Sequence, residues 1–461
     1  MATTKFSSII VVSALSAAGT AFLTAPAFAG DPCGDNSGFD VTTVFVGEDG
    51  YGGGGSDIDY YGTSGGKRGF AVGTTSCNRG NVVAPWYGGT NNVPVIQQSC
   101  YRLLDGRFEQ IGMSWLKHSF CAVSEPGCNT WTGGGCNSTS CNTLGIGCAD
   151  TYWAGLNADA NAPRSEINAT TGEYDYPFTI SPSGPSSIRG KLQLVDADYL
   201  NLDGASFFME AQYVEPNEHE QCDGLRHLNN ASHCKALFNS ATSCVRDQSW
   251  GSTAHMVPAI YSWQDAGATV IALNTIEDGD VPARVNVGWL VTDNGNGTWH
   301  YEYAVHNQNS HRSIESFQVP VPAGTTLTNV GFRDIHYHSS EENVIYGTDW
   351  TFSNAGGNAT WTAVDEGAKT NSIRWATTFN FRFDANAGPE DTLASLGYWR
   401  PGADSSVTSD AQGPGSAGCP GDLNGDNVVD VEDVLTCIDG FGTDYQVEDL
   451  LEVLASYGTG C

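Results

Sequence analysis

Basic side chains are scarce in this chain of 461 residues. Lys and Arg number 20 against 52 Asp and Glu, so the formal net charge is −32. A surface that follows nucleic-acid phosphates needs clustered Lys and Arg, and so does a surface that adheres to anionic lipid. The composition therefore excludes nucleic acid and anionic membrane surfaces as partners.

Charged residues of both signs together are also few. They make up 16% of the chain, where roughly 25% is usual, and helix-rich proteins need them on their surfaces. Glycine, with 56 residues, and aromatic residues, at 11%, are abundant instead. This composition is typical of short strands joined by turns. The sequence predicts a mainly β protein.

Long apolar runs are absent after the first thirty residues, which excludes a membrane-spanning helix in the rest of the chain. The early run from Ile9 to Leu23 follows Lys5 and precedes Ala-Phe-Ala at positions 27–29. A membrane anchor needs about 20 strongly apolar residues, and this run is shorter and interrupted by Ser, Gly and Thr. We therefore predict a signal peptide over residues 1–29 and a secreted or cell-surface protein.

Cysteines are missing between Cys244 and Cys419 but number fourteen in all. In an oxidising compartment they are first of all disulfides, which here staple loops rich in Gly and Ser. Zinc is the alternative, but the spacings between Cys121 and Cys148 fit no zinc template. We predict that the early cysteines are largely bridged, namely Cys33, Cys77, Cys100, Cys121, Cys128, Cys136, Cys141 and Cys148.

Three further cysteines lie in the tail of the chain. Cys419 and Cys461 bracket the tail and are a natural pair. Cys437 lies between the apolar residues Leu435 and Ile438 on a predicted helix, so we expect it to remain a free thiol.

The distribution of cysteine suggests a division into domains. We predict a cysteine-bearing β-rich domain at 30–280, a cysteine-free antiparallel β-sandwich unit at 281–400, a linker at 401–418 and a small helical module at 419–461. The sandwich prediction rests on two β-rich runs around a turn rich in Asn and Gly, and on aromatic residues at period two between Trp375 and Phe383. The linker is rich in Gly, Pro and Ser and cannot bury side chains.

A twelve-residue stretch in the tail has the spacing of a calcium loop. Side-chain oxygens occupy loop positions 1, 3, 5, 9 and 12, and position 7 offers a backbone carbonyl. Ca²⁺ takes about 6–8 oxygen ligands, which this spacing wraps around one point. An Asx-rich turn without metal is the alternative. The predicted ligands are Asp422, Asn424, Asp426, Val428, Asp430 and Asp433, with Val429 as an apolar plug beneath the ion.

This loop and the helix after it resemble half of a bacterial dockerin, a paired EF-hand-like module. Asp433 stands at loop position 12, where calmodulin-type loops have Glu, and this favours the dockerin resemblance. Dockerins normally have two loop–helix repeats, and here Asp433 and Leu435 recur at an offset of sixteen as Asp449 and Leu451. The second loop is reduced to residues 443–446, so we expect one calcium ion.

The resemblance implies a cohesin-like or cell-surface protein as partner. Dockerins contact cohesins partly through Ser or Thr at loop positions 10 and 11, which are Val431 and Glu432 here. Both predicted helices carry apolar residues at i, i+3, i+4 and i+7, so we expect them to pack on each other. The main body resembles only uncharacterised secreted bacterial proteins, in stretches such as 115–118, 145–150 and 299–303.

Two motifs of common enzymes are absent from the body, which has no HExxH and no P-loop. His336 and His338 would share one face of a strand and are a candidate metal pair, for which His118 or His255 would supply a further ligand. We favour the alternative that the pair consists of exposed strand residues.

Acidic residues of the body have two further interpretations. Any two of Glu302, Glu315 and Asp334 would serve as a glycosidase pair. A second calcium ion would take Asp196, Asp198 and Asp203, although a strand followed by a turn is the preferred interpretation of that segment.

We therefore predict a secreted calcium-binding protein with a dockerin-like module, acting as a binding or structural component of the cell surface or of an extracellular assembly. The alternative is a carbohydrate-active enzyme that hydrolyses O-glycosyl bonds in polysaccharide breakdown, with a polysaccharide as partner. That alternative rests on the association of dockerins with polysaccharide-degrading machinery and on no identified site.

Overall fold

The chain folds mainly into β-strands, as predicted, because strands hold 45% of the residues and helices 13%. The computed structural model describes residues 33–34, 36–48, 55–128, 134–277, 280–338, 341, 344–345, 347–367, 369–415, 421–424 and 428–458. The predicted signal peptide at 1–29 lies outside these residues.

The first part of the described chain contains fifteen strands and two one-turn helices. The helices are α1 (Ala154–Asn157) and α2 (Asp196–Tyr199). The strands are β1 (Val41–Val46), β2 (Ile58–Ser64), β3 (Lys67–Val72), β4 (Thr74–Asn78), β5 (Ala84–Pro85), β6 (Val95–Leu104), β7 (Arg107–Met113), β8 (Lys117–His118), β9 (Glu125–Pro126), β10 (Thr143–Leu144), β11 (Cys148–Tyr152), β12 (Leu192–Val195), β13 (Ser206–Val214), β14 (Ala231–Ser240) and β15 (Ser243–Arg246).

The second part contains twelve described strands and the two tail helices, α3 (Val431–Asp439) and α4 (Val447–Ser456). The strands are β16 (Thr269–Ile276), β17 (Pro282–Asp293), β18 (Trp299–Asn307), β19 (Ile314–Pro320), β20 (Leu327–Arg333), β21 (Thr351–Ala355), β22 (Asn358–Thr362), β23 (Asp365–Glu366), β24 (Lys369–Thr370), β25 (Thr377–Ala385), β26 (Pro389–Tyr398) and β27 (Ser406–Pro414). Short 3₁₀ helices are described at Arg164–Glu166, Glu218–Glu220, Cys222–Gly224, Arg226–Leu228, Gln248–Trp250 and Ala259–Ala266.

Two five-stranded antiparallel sheets form a sandwich. Their strand orders are β16-β17-β18-β25-β20 and β21-β22-β19-β26-β27. Side chains alternate along a strand, so Tyr301, Tyr303 and Val305 of β18 all point toward the other sheet. They are buried there in one core with Phe317 of β19 and Trp361 of β22. The period-two aromatic pattern therefore marks the inner face of the sandwich.

A nine-stranded antiparallel sheet packs on the outer face of the first of these sheets. Its order is β15-β14-β13-β6-β7-β12-β3-β2, with β8 beside β6. The Asn380 amide of β25 donates to the Phe108 carbonyl of β7 at 2.7 Å, and Gln110 accepts the backbone N–H of Thr378 at 2.8 Å. The three sheets are therefore stacked as layers, with the middle sheet buried on both faces.

Backbone pairing crosses two of the predicted domain boundaries. β16 precedes the predicted boundary at 280/281 but pairs along its whole length with β17. Ser406–Pro414 lies inside the predicted linker at 401–418, yet it is strand β27 and pairs with β26. The linker prediction is therefore wrong for this segment. The sequence resembles a linker because this edge strand buries only small residues, such as Ser409 and Ala411.

Four disulfides staple the first part of the chain, which fits an oxidising compartment. They join Cys33 to Cys222, Cys77 to Cys128, Cys121 to Cys141 and Cys136 to Cys148. Of the early cysteines only Cys100 is a buried free thiol, and Cys234, Cys244 and Cys437 are also free and buried. The free thiol predicted at Cys437 is confirmed, whereas Cys419 and Cys461 lie outside the described residues.

Candidate functional site

The tail is built around the carboxylate of Asp433, which is fully buried. Its Oδ1 accepts the backbone N–H groups of Leu423 at 2.7 Å and Asn424 at 3.1 Å, and its Oδ2 accepts that of Asp430 at 2.8 Å. Burial acts to raise the pKa of Asp433, but these hydrogen bonds outweigh it and hold the pKa below its usual value. The charged carboxylate therefore draws both ends of the loop to the start of α3.

The predicted calcium ligands fall mostly within the described residues. Asp422, Asn424, Val428, Asp430 and Asp433 are described, whereas Asp426 lies outside. A carboxylate offers about four lone-pair sites. Asp433 uses three of them on backbone N–H groups, and Asp430 accepts the N–H of Glu432 at 2.7 Å. Oxygen sites therefore remain at both residues, and an all-oxygen donor set suits a hard cation such as calcium.

Val429 closes the underside of the loop. It is fully buried, as predicted, whereas the neighbouring Val428 side chain is 43% exposed. Val429 packs with Cys437 of α3 and Val453 of α4 in a small core. Gly421 lies against that core with φ +91°, and a Cβ atom there would stand 2.7 Å from the Cα of Val453. Glycine is therefore required at this position.

The sixteen-residue repeat is present in the backbone geometry of the tail. The two helices begin sixteen residues apart, and each begins with the same capping arrangement. The N–H of Asp430 donates to Asp433 at 2.8 Å, and that of Gln446 donates to Asp449 at 2.7 Å. The shortened second loop forms a tight turn, so only the first repeat retains a loop long enough to enclose an ion.

The two tail helices also expose an apolar face. The contact between them is made by Val434, Cys437, Leu450 and Val453. The two helices therefore pack on each other, as expected, but a further row of large side chains along each helix faces outward. These side chains are 47–60% exposed and form pairs sixteen residues apart, namely Val431/Val447, Leu435/Leu451, Ile438/Leu454 and Phe441/Tyr457.

The candidate metal pair of histidines does not lie on one strand face. His338 is buried, where its Nε2 is 2.8 Å from the Met113 carbonyl and its Nδ1 is 3.1 Å from Gln193. Burial lowers the pKa of His338 to about 4. His336 is half exposed and lies 3.4 Å from the carboxylate of Asp198. The prediction of two exposed strand residues is therefore wrong for His338.

The candidate second calcium site is occupied by arginine side chains. Asp196 and Asp198 lie on the one-turn helix α2, so the predicted strand and turn is wrong in detail. Arg68 holds Asp196 through two hydrogen bonds of 2.5 and 2.9 Å. Asp198 accepts a hydrogen bond from Arg333 at 2.9 Å and lies 3.6 Å from Arg102. The positive charges of these arginines therefore neutralise Asp196 and Asp198 without a bound cation.

The carboxylates considered for a glycosidase pair lie on separate elements. Glu302 of β18 is buried against the nine-stranded sheet, where Arg107 donates to it at 2.9 Å and His300 lies 3.3 Å away. Glu315 belongs to β19 in the outer sheet. Asp334 accepts the Asn371 amide at 2.7 Å, and burial raises its pKa to about 6.

A cleft of about 610 Å³ opens on the body. The cleft joins segments 91–92, 165–175 and 216–217 with His311, so no local motif marks it and sequence reasoning missed it. Glu166 is already engaged, because its carboxylate accepts the N–H groups of Thr179 at 2.9 Å and Ile180 at 2.8 Å. Other polar side chains in the lining are Asn91, Asn92, Glu173, Asp175 and Asn217.

An aromatic side chain follows one of the cleft residues. Tyr176 comes directly after Asp175, is 43% exposed and stacks on the ring of His118 with centroids 4.7 Å apart. His118 is held in turn by the Thr90 carbonyl at 2.9 Å, and burial lowers its pKa. Tyr176 is therefore a fixed and partly exposed ring one position along the chain from the cleft lining.

The chain matches no model of a known protein family and has no significant relative among curated proteins. Within the described ranges, no helix is long and apolar enough to cross a membrane. The same part of the chain holds no group of three or more His, Cys, Asp or Glu side chains arranged to hold a metal ion.

Proposed function

We propose that this protein is an extracellular calcium-binding component of the cell surface or of a larger assembly, attached through a dockerin-like C-terminal module. The observation that carries the proposal is the repeated apolar face of α3 and α4. Eight large apolar side chains, paired at an offset of sixteen residues, are exposed, six of them on two short helices and two just after the helix ends. Contiguous exposed apolar patches mark protein interaction sites.

Calcium is the proposed organiser of this face. Residues 419–461 carry ten acidic side chains and no Lys or Arg, so the loop carboxylates repel one another. A bound cation offsets that repulsion at Asp422, Asn424, Asp426, Asp430 and Asp433 and at the Val428 carbonyl. The core beneath it is too small to be secure alone, so ion binding and closure of the helices should be coupled.

Calcium titration of the full mature chain by calorimetry tests the loop. We expect one bound ion, and strong weakening in Asp422→Ala, because loop position 1 supplies an oxygen that no neighbour replaces. Asp444→Ala is the matched control, since it removes a carboxylate from the shortened second loop and should leave binding unchanged. Two ions per chain, or full affinity in Asp422→Ala, would contradict a single site.

The protein partner is tested with purified cohesin modules on a sensor surface. We expect calcium-dependent binding of the full chain that falls at least about tenfold, or about 1.4 kcal/mol, in Leu435→Asp and in Leu451→Asp. Leu393→Asp is the control, because Leu393 is 55% exposed on β26 of the body. A chain that binds calcium but none of the modules has a partner of another kind.

The cleft favours a second candidate function, in which the body binds or hydrolyses a polysaccharide. A glycan array with the mature chain tests binding, and release of reducing sugar tests hydrolysis. If the body is a hydrolase, Glu173→Gln or Asp175→Asn should abolish sugar release, whereas Asp203→Asn, an exposed acid outside the cleft, should not. Binding without release favours the binding component.

A further inference from the structure

A threonine, a histidine and a glutamine meet where the nine-stranded sheet packs on the middle sheet. Thr378 of β25 stands directly opposite His306 of β18 in the middle sheet. Gln110 of β7 reaches the same place from the nine-stranded sheet. None of the three residues is more than 1% exposed. The groups therefore meet in a site from which bulk water is excluded.

The hydroxyl of Thr378 is paired with an imidazole. Its Oγ1 lies 2.9 Å from Nδ1 of His306. Burial lowers the pKa of His306 to about 3, so the ring is neutral and has one nitrogen that accepts a proton. In the tautomer protonated at Nε2, the Thr378 hydroxyl donates to Nδ1. A hydroxyl that donates to a neutral imidazole is activated as a nucleophile.

The side-chain amide of Gln110 is held against the same threonine. The backbone N–H of Thr378 donates to Oε1 of Gln110 at 2.8 Å. The Nε2 of Gln110 donates to the Ser99 hydroxyl at 3.0 Å and to the Ala376 carbonyl at 3.2 Å, so the network fixes which end of the amide carries the oxygen. The carbonyl oxygen is thus held by the N–H of the residue that carries the hydroxyl. A donor in that position stabilises the negative charge that develops when the hydroxyl attacks the carbonyl carbon.

Two further features are poorly explained by packing alone. The Nε2 of His306 is buried with no hydrogen-bond partner in the described part of the chain, and an unsatisfied buried polar atom costs free energy. Ala376, whose carbonyl holds the Gln110 amide, has φ of +54°, a left-handed conformation that disfavours residues other than glycine. Unsatisfied and strained groups of this kind cluster at reactive sites.

We propose that Thr378 and Gln110 form an intramolecular ester cross-link. The Oγ1 of Thr378 attacks Cδ of Gln110, and the hydroxyl proton passes to Nδ1 of His306. The Oγ1–Cδ bond forms, the bond between Cδ and Nε2 breaks, and the proton passes from His306 to the departing nitrogen. The products are the ester and one molecule of ammonia, so the step requires no oxidant, reductant or cofactor. Both reacting groups are already held side by side, which removes much of the entropic cost.

The ester would join two layers of the molecule covalently. Its two residues are 268 positions apart in the chain. The four described disulfides all lie within residues 33–222, so the ester would tie the first part of the chain to the sandwich, which they do not reach. Exclusion of water protects the ester from hydrolysis, and loss of ammonia to the medium favours its formation.

Mass spectrometry of the full mature chain tests the proposal. After reduction of the disulfides, we expect an intact mass lower than that of the sequence by one molecule of ammonia. A proteolytic digest should contain a branched peptide that joins the segment around Gln110 to the segment around Thr378. Hydroxylamine, which cleaves esters, should split this branched peptide into its two parts.

Three variants separate the reaction from the fold. Thr378→Val keeps the shape of the side chain but removes the hydroxyl, and His306→Gln removes the base. Both should retain the ammonia and yield no branched peptide. Thr378→Ser is the matched control, because it keeps the hydroxyl and should still form the cross-link.

The wild-type measurement decides the proposal even if a variant does not fold. An intact wild-type mass equal to that of the sequence would overturn the proposal. A loss of ammonia located instead at an Asn–Gly pair, such as Asn296 and Gly297, would show succinimide formation and would also overturn it. So would a branched peptide that persists in Thr378→Val.

Discussion

Asp433 is the residue on which the tail loop closes, since three backbone N–H groups reach its two oxygens. Asp433→Asn keeps the shape of the side chain, but an amide nitrogen cannot accept an N–H. We expect hydrogen exchange at Asp430 and at the start of α3 to accelerate, with a loss of about 1–3 kcal/mol in local opening free energy. Asp439→Asn, at an exposed position in the last turn of α3, is the control. Unchanged exchange in Asp433→Asn would show that the loop closes without this carboxylate.

Substitutions at two glycines of the tail distinguish the effect of backbone strain from the effect of packing. Gly421 and Gly442 have φ of +91° and +85°, so an Ala at either position is strained by about 1–3 kcal/mol. Only at Gly421 would the new Cβ also meet the Cα of Val453, at 2.7 Å. We expect Gly421→Ala to raise hydrogen exchange throughout α4 more than Gly442→Ala does. Equal effects would place the core of the tail elsewhere.

Single-residue environments were predictable from the sequence only where neighbours in the chain create them. Val429 is buried as expected, because the loop and the following helix enclose it locally. His338 is buried against expectation, because its partners Met113 and Gln193 lie 225 and 145 positions away in the sequence. Contacts between residues so far apart in the chain cannot be predicted from a local sequence pattern.

At the scale of elements, strands that bury many side chains were predictable and edge strands were not. The hairpin of β17 and β18 is present as expected, with Val285 opposite Asn307 and Asp293 opposite Trp299. The alternating aromatic residues of β18 lie on the inner face of the sandwich, and this burial produces the period-two pattern in the sequence. β27 is held chiefly by backbone pairing with β26. Every residue except proline has the same backbone donor and acceptor, so this kind of pairing is hard to predict from the sequence.

One histidine links three elements and should make stability depend on pH. His300 of β18 lies 2.6 Å from Asp384 of β25 and 3.3 Å from Glu302, which Arg107 of β7 also contacts. The hydrogen bond to Glu302 is the largest cause of a raised pKa for His300. Burial opposes it, and Asp384 adds to it. A raised folded-state pKa stabilises the native state below the unfolded pKa, and this contribution disappears as pH rises through the folded value.

Urea unfolding of the full chain between pH 5.5 and 8.5 measures this contribution. We expect His300→Gln to be destabilised relative to the wild type at the acidic end, with the difference shrinking toward the alkaline end. His219→Gln is the control, because the His219 ring is paired with the Thr171 carbonyl and, among the described residues, with no carboxylate. A difference that grows with pH would contradict the assignment.

At the scale of the whole molecule, the stacking of three sheets joins segments far apart in the chain. Asn380 bonds to the Phe108 carbonyl across 272 positions, and Thr378 bonds to Gln110 across 268. A sequence that suggests two β units in succession does not reveal that they share a polar interface. The cysteine gap between Cys244 and Cys419 therefore marks a segment that folds without disulfides and does not mark a structural boundary.

The free thiols report on the body and on the tail separately. Cys100, Cys234 and Cys244 lie in one core of the nine-stranded sheet. Burial raises the pKa of all three, that of Cys234 to about 12, so at pH 8 they are protonated and inaccessible. Cys437 lies instead in the small core of the tail with Val429. A small core opens more readily than a large one, so the tail thiol should react first.

Thiol labelling of the full chain at pH 8 tests this order. With calcium present we expect no rapid labelling. A chelator should release one thiol per chain, because the loop then no longer holds α3 and α4 together, and Cys437→Ser should abolish that reaction. Denaturation without reductant should expose four thiols if Cys419 and Cys461 are paired, and six if they are not. Labelling of the body thiols before Cys437 would show that the nine-stranded sheet opens more easily than the tail and that calcium does not control closure of the tail helices.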